Sequence, residues 1–246
     1  MLVLSEAVLV LVIEMRRWGP RGDYAYEHEH ESRARLSLGV KSKMNIGVLA
    51  LQGDVREHLS SLERCGIKGR PVKVPADLVE LEGLVIPGGE STTVGKLLVR
   101  SGLLEPLRRQ AEAGMAIFGT CTGMILLAKH IEGYEEQPRL GLMDITVRRN
   151  AFGRQVESFE MDLSIPVLGD SPFRAVFIRA PEVVSVGPGV EVLASFGERI
   201  VLVRQGRYLA AAFHPELTDD LRLHLYFLQE CCGLRSDRKD PLSLSR

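Results

Sequence analysis

FGTCTGMILLAK, residues 118–129, begins as a buried strand ends and continues as an amphipathic helix begins, with one cysteine at the junction. A strand that enters a helix through so short a turn is the repeating unit of α/β folds, in which ligands bind beyond the carboxyl ends of the strands. Gly119 to Gly123 reads G-T-C-T-G, a nucleophile elbow with cysteine in place of serine. The glycines permit a sharp turn and leave little bulk beside the thiol. A cysteine at a helix start faces the positive end of the dipole and unpaired N–H groups, which favour a thiolate. The N–H of Thr122 would point toward an oxyanion formed by attack on a carbonyl. A small buried filler is the competing reading of Cys121, and the flanking glycines favour catalysis.

The same alternation extends outward. NIGVLAL (45–51) and GLVIP (83–87) are short apolar runs, while VREHLSSLERCG carries helical spacing and stops at Gly66. TTVGKLLVRSG and LLEPLRRQAEAG are amphipathic, and MAIF (115–118) is the next strand. Past Asp144 the texture turns to β: ITVRR, RQVESFEMDL, AVFIRA, EVLASF, RIVLVRQ and YLAAAF, before a last helix in LTDDLRLHLYFLQECC. The expectation is an α/β fold of one domain, a three-layer sandwich whose central sheet is mixed and mainly parallel.

Composition narrows the function. The 246 residues are 45% hydrophobic with a formal net charge of −1, so a sizeable core forms and bulk charge favours neither nucleic acid nor an anionic membrane. The four cysteines, Cys65, Cys121, Cys231 and Cys232, fit neither a disulfide framework nor a zinc motif, and a cytoplasmic location is expected. Residues 1–43 differ from the rest. MLVLSEAVLVLVIEM is too short for a membrane span, and Arg16-Arg17 follows the apolar run instead of preceding one, unlike an export signal. EHEHE, with His28 and His30, reads first as a solvated polar tract and only second as a metal site. Three segments are expected: an extension over 1–43 that is disordered or a start-site artefact, a domain over 44–234, and a polar tail over 235–246.

A thiol nucleophile needs a base. His58 and His224 fall on expected helices and His130 follows one, whereas His214 ends the apolar strand YLAAAF and is followed by Pro215 and Glu216. Proline holds the preceding residue extended, and side chains two apart on an extended segment share a side. Glu216 can then fix the imidazole tautomer and stabilise the imidazolium. Alone, H-P-E is an ordinary strand-to-loop boundary; with Cys121 it becomes a triad. A rival P-loop in GESTTVGK (89–96) has five residues between its glycines where the motif has four, and Leu97 replaces the magnesium-binding hydroxyl.

FGTCTG followed by FHPEL resembles the triad signature of class I glutamine amidotransferases, whose fold is flavodoxin-like. GVLALQGDVREH, IPGGESTT, RNAFGRQVESFE, FIRAPEV and AAFHPELT are similar, in order, to the glutaminase subunits of pyridoxal 5′-phosphate synthases. The resemblance covers Asn45 to the final helix. It implies hydrolysis of L-glutamine to glutamate and ammonia through a glutamyl thioester, with the ammonia tunnelled to a synthase partner for vitamin B6 biosynthesis, and no cofactor or metal. It also brings two class labels, hydrolase and lyase. By position, Cys121 is the nucleophile, His214 the base and then acid, and Glu216 its orienter. Gly88 or Gly89 completes the oxyanion hole with Thr122, where the family usually has alanine. Gly89, Glu90, Ser91, Arg149, Ile178 and Arg179 are the implied glutamine contacts, and Arg154 is a candidate partner contact. A peptidase or chaperone of related architecture usually has histidine after the nucleophile, where Thr122 stands. A different glutaminase is set aside only by the flanking motifs, and a silent regulatory subunit would lack a triad member.

Overall fold

The computed structural model describes residues 44–152 and 158–234. The expected extension with Arg16, Arg17, His28 and His30, the tail from 235, and Arg154 lie outside the described residues.

Strands β1 (Ile46–Leu49), β2 (Arg70–Val72), β3 (Gly83–Ile86), β4 (Ala116–Thr120) and, from the far end of the described chain, β12 (Tyr208–Ala211) form a parallel block in the order β2–β1–β3–β4–β12. β1, β3 and β4 are buried along their whole length, which is why they read as continuous apolar runs. The sheet continues antiparallel through β11 (Arg199–Gln205), β9 (Glu182–Val186) and β6 (Met143–Arg148), with β5 (Ala128–Ile131) parallel to β6 and β10 (Glu191–Phe196) paired to β11. β7 (Ser158–Leu163) and β8 (Phe173–Ile178) form a separate antiparallel ribbon. Its aromatic side contributes Phe159 and Phe177, stacked with ring centroids 4.8 Å apart.

Successive strand residues face opposite sides of the sheet, and β4 uses both. Phe118 packs against His58 of α1 (Val55–Arg64) and His224 of α5 (Arg222–Tyr226), so these helices cover one face. The next residue, Gly119, lies against α4 (Thr122–Leu127) on the other face, where α4 also meets α2 (Ser91–Arg100). Between α2 and β4 runs α3 (Leu104–Glu112), which buries Leu107 and Ala111. The sheet is thus mixed, mainly parallel and covered on both faces, as expected.

Several local expectations change. The helix after Cys121 is buried on all sides and ends at Leu127, because the Leu126 carbonyl accepts from the N–H groups of Leu140 and Gly141 and Ala128 turns extended into β5. His130 therefore lies in a strand. The segment after His214 is a 3₁₀ turn, Pro215–Leu217, instead of extended chain, and this turn brings Glu216 back to the imidazole. β2, β5 and β9 have no counterpart among the expected strands. The final helix passes from α5 into a π turn over Phe227–Cys231. No described helix is long and apolar enough to cross a membrane.

Candidate active site

β4 and β12 are parallel neighbours with Ala211 opposite Thr120, so their carboxyl ends deliver Cys121 and His214 to the same edge of the sheet. Cys121 holds φ 48° and ψ −100°, in the positive-φ region that non-glycine residues rarely adopt, and its N–H donates to the Ala211 carbonyl at 2.8 Å. Strain of this kind persists where the surroundings fix it, and it belongs to nucleophile elbows. The flanking glycines are needed for close approach: a Cβ on Gly119 would overlap the backbone of Gly123, and a Cβ on Gly123 would overlap the carbonyl of Ile86. The Cys121 sulfur lies 3.8 Å from the carbonyl oxygen of Ile178, which places Ile178 beside the thiol.

The His214 N–H donates to the Val176 carbonyl at 2.8 Å, anchoring the histidine to β8. Its Nδ1 lies 2.8 Å from Oε1 of Glu216 and 3.4 Å from Oδ2 of Asp54. Carboxylates only accept, so Nδ1 carries a hydrogen and Nε2 is the nitrogen that gains and loses the second proton. Burial opposes a charge on this ring, but the Asp54 carboxylate, the Cys121 thiol and the Glu216 carboxylate outweigh it and push the His214 pKa well above the ordinary histidine value. Burial pushes the Glu216 carboxyl up, with the His214 contact working the other way. Burial drives the other thiols out of reach of ionisation: Cys65 rises to about 12, Cys231 to about 11 and Cys232 further. Gly88 packs so close to the imidazole that a Cβ there would overlap Cε1 of His214.

The loop of residues 87–91 is tied to the cysteine turn by a hydrogen bond in which the Thr122 hydroxyl donates to the Gly89 carbonyl at 2.5 Å. Glu90 caps α2, accepting from the N–H groups of Thr92 and Thr93 at 3.2 and 2.7 Å. Burial works against its charge, yet Thr93, Thr92 and Arg149 hold its carboxyl below the usual range. This carboxylate takes the N–H groups that a P-loop would offer to phosphate, which removes the rival nucleotide reading. Arg149 donates to Glu90 Oε1 at 3.1 Å and to Gln137 Oε1 at 3.0 Å, and its guanidinium lies 4.3 Å from the Tyr134 ring centroid. Ser91 is buried, and its Oγ has no hydrogen-bond partner among the described residues. Arg179 follows Ile178 with φ 42°, and its exposed side chain makes no hydrogen bond or ion pair among the described residues.

Of three further polar residues of this region, Asp54 escaped the sequence reading, and His58 and His224 were set aside there as helix residues. The available signal was Q-G-D-V-R-E-H, in which Asp54 precedes α1 and His58 follows one helical turn later, at the carboxyl side of β1. Asp54, His214 and Glu216 also have the spacing of metal ligands, but Nδ1 of His214 carries a hydrogen directed at these carboxylates and so offers a metal no lone pair.

Comparison with known proteins agrees with this architecture. Residues 48–233 match the SNO glutamine amidotransferase family. The chain is 64% identical over 188 residues to pyridoxal 5′-phosphate synthase subunit PdxT of Pelotomaculum thermopropionicum, covering 76% of this chain and 95% of that protein. It is 60% identical over 185 residues to PdxT of Thermus thermophilus, covering 75% and 96%. A crystal structure of a glutamine amidotransferase superposes with a TM-score of 0.73 at 56% identity, covering 77% of this chain and 99% of the other. The family corrects one expectation: a glutaminase cleaves its amide with water, which is hydrolase chemistry, so the lyase label does not hold. The chain belongs to the SNO glutamine amidotransferase family.

Proposed function

We propose that this chain is the glutaminase subunit of a pyridoxal 5′-phosphate synthase, hydrolysing L-glutamine to glutamate and ammonia and passing the ammonia to a synthase subunit. The observation that supports the reading is the 2.8 Å contact between Nδ1 of His214 and Oε1 of Glu216, on a strand end directly beside the one that delivers Cys121.

Cys121 gives up its proton to the lone pair on Nε2 of His214, and the sulfur attacks the side-chain amide carbon of glutamine. The carbonyl π electrons move to oxygen, and the N–H groups of Thr122 and of Gly88 or Gly89 receive that oxyanion. As the tetrahedral centre collapses, the C–N bond breaks and His214 protonates the departing nitrogen, releasing ammonia and leaving a glutamyl thioester. Water then attacks the thioester with His214 as base, and the thiol leaves with glutamate as product. Glu216 keeps Nδ1 protonated throughout, so Nε2 remains the working atom. Glutamine carries an ammonium and a carboxylate, which need acceptors and donors respectively. Glu90 and Arg149 supply one of each on adjoining elements, and the buried, unpartnered Ser91 Oγ, the Ile178 carbonyl and Arg179 complete the proposed contacts.

The working domain is residues 44–234, and a cytoplasmic location fits four free cysteines. Neither nucleic acid nor a membrane surface is a proposed partner. The test is a glutaminase assay of the full chain with and without a synthase subunit from the same source, following glutamate and pyridoxal phosphate together. Glutamate release that rises when the synthase is added, with pyridoxal phosphate formed at glutamine's expense, supports the reading. Nucleotide or peptide turnover without glutamine hydrolysis contradicts it.

A further inference from the structure

Behind the triad lies a run of buried polar groups that the mechanism above does not use. His58 and His224 are fully buried on the face of the sheet covered by α1 and α5. His58 Nε2 lies 3.3 Å from Oε2 of Glu216 and 3.1 Å from the Thr120 hydroxyl, while its Nδ1 lies 3.1 Å from Nε2 of His224. Oε2 is the carboxylate oxygen that His214 leaves free; it makes no aligned hydrogen bond among the described residues, while Nε2 of His58 stands beside it and bonds the Thr120 hydroxyl.

The tautomers follow from elementary electrostatics. A bare Nε2 on His58 would set a lone pair against a carboxylate oxygen 3.3 Å away, whereas Nε2–H, accepted by the Thr120 hydroxyl, turns a positive end toward it. With the hydrogen on Nε2, Nδ1 of His58 must accept, so His224 donates from its own Nε2. That leaves Nδ1 of His224, which has no partner among the described residues, as an unpaired acceptor; the opposite arrangement would orphan a buried N–H, the rarer and costlier defect. Burial, with His224 and His214 nearby, keeps His58 neutral, so the chain runs in one direction and carries no extra charge.

We propose that His58 and His224 are positioning residues of the glutaminase reaction. His224 donates to His58, and the Nε2–H of His58, bonded to the Thr120 hydroxyl, sets its positive end 3.3 Å from Oε2 of Glu216, which favours the charged carboxylate and keeps Oε1 toward Nδ1 of His214. A polar N–H held beside a buried carboxylate contributes enough that its loss translates to a rate effect of about 10-fold or more. His58 touches no substrate, so the effect falls on the chemical step and not on glutamine binding.

The inference rests on the glutaminase reading, and its test separates the two. Glutamine hydrolysis is measured in the synthase complex for wild type, His58→Leu and His58→Gln, because a glutamine side chain can place an N–H where Nε2 stands. The proposal expects kcat of His58→Leu to fall at least about tenfold with KM changed less than about threefold, and His58→Gln to recover most of that loss. A kcat of His58→Leu within about twofold of wild type overturns the proposal, as does a His58→Gln variant no better than His58→Leu. Should the leucine variant not fold, nitrogen-15 NMR of histidine-labelled wild type decides: His58 protonated at Nε2 and bare at Nδ1 sustains the relay, and the reverse tautomer overturns it. A wild-type complex that hydrolyses no glutamine would instead sink the functional reading, while the NMR tautomer still tests the relay by itself.

Discussion

Nδ1 of His214 and Oε1 of Glu216 lie 2.8 Å apart, two residues along the chain, with the Glu216 side chain wholly buried. This pairing engages Nδ1 and leaves Nε2 as the nitrogen that would meet the thiol in the proposed triad. Glu216→Gln keeps the shape and removes the charge, so the imidazolium loses its support and the tautomer is no longer enforced. The expected result is a fall in kcat of about 10²- to 10⁴-fold with KM for glutamine little changed. Steady-state glutaminase kinetics of the synthase complex check this, and a loss confined to KM would contradict it.

Gly88 sets the other side of the ring. Gly88→Ala places a methyl group on Cε1 of His214, and the imidazole must move away from the thiol. A displacement of this size at a reacting group costs about 100-fold in kcat. Activity within about twofold of wild type, with an unchanged circular dichroism spectrum, would show that the loop yields in place of the histidine.

Thr122 tests which part of a residue matters. Its hydroxyl holds the Gly89 carbonyl, but the proposed oxyanion donor is its backbone N–H, which alanine retains. Thr122→Ala is therefore expected to keep kcat within about threefold of wild type, whereas removing an oxyanion-hole donor costs about 10²- to 10³-fold. A loss of the larger size in Thr122→Ala would move the oxyanion contact to the hydroxyl.

Much of this site was legible in the letters. The strand, cysteine and helix of residues 118–129 announce an elbow because local chemistry controls it: glycines permit the close approach and an apolar run makes the buried strand. His214 and Glu216 were legible as a pair, but the 3₁₀ turn that joins them was not, since two residues in sequence are compatible with either backbone. Asp54, His58 and His224 were hidden for a different reason. Asp54 reads as a loop residue before a helix and the two histidines as routine helix residues, and only the strand order β1–β3–β4–β12 brings α1 and α5 over the carboxyl end of β4. Likewise the end of α4 at Leu127 depends on a hydrogen bond from Leu140, well along the chain, that no local pattern encodes.

The buried histidines also give the fold a pH dependence. Burial, with Arg64 nearby, lowers His224 from the ordinary 6.5 to about 4, so the folded chain keeps it neutral while the unfolded chain protonates it. Its contribution to stability is therefore complete above about pH 6.5 and is lost as the pH falls toward about 4. Between about pH 7.5 and about pH 5.5 this group alone removes about 1 kcal/mol. His214, whose pKa is raised, works in the opposite direction, being most stabilising below the unfolded value and losing that contribution as the pH rises through the folded one. Comparing wild type with His224→Gln by denaturant unfolding at both pH values cancels the shared groups. Wild type should lose more stability than the variant on acidification, and equal losses would contradict the assignment.

The central claim is that a single sulfur forms the covalent bond to substrate, and glutamate release by Cys121→Ala measures it most directly. With the variant folded and the synthase subunit present, the account predicts a rate at least about 10⁴-fold below wild type, since no other side chain at the elbow can form the thioester. Release of glutamate and ammonia at the wild-type rate would contradict it.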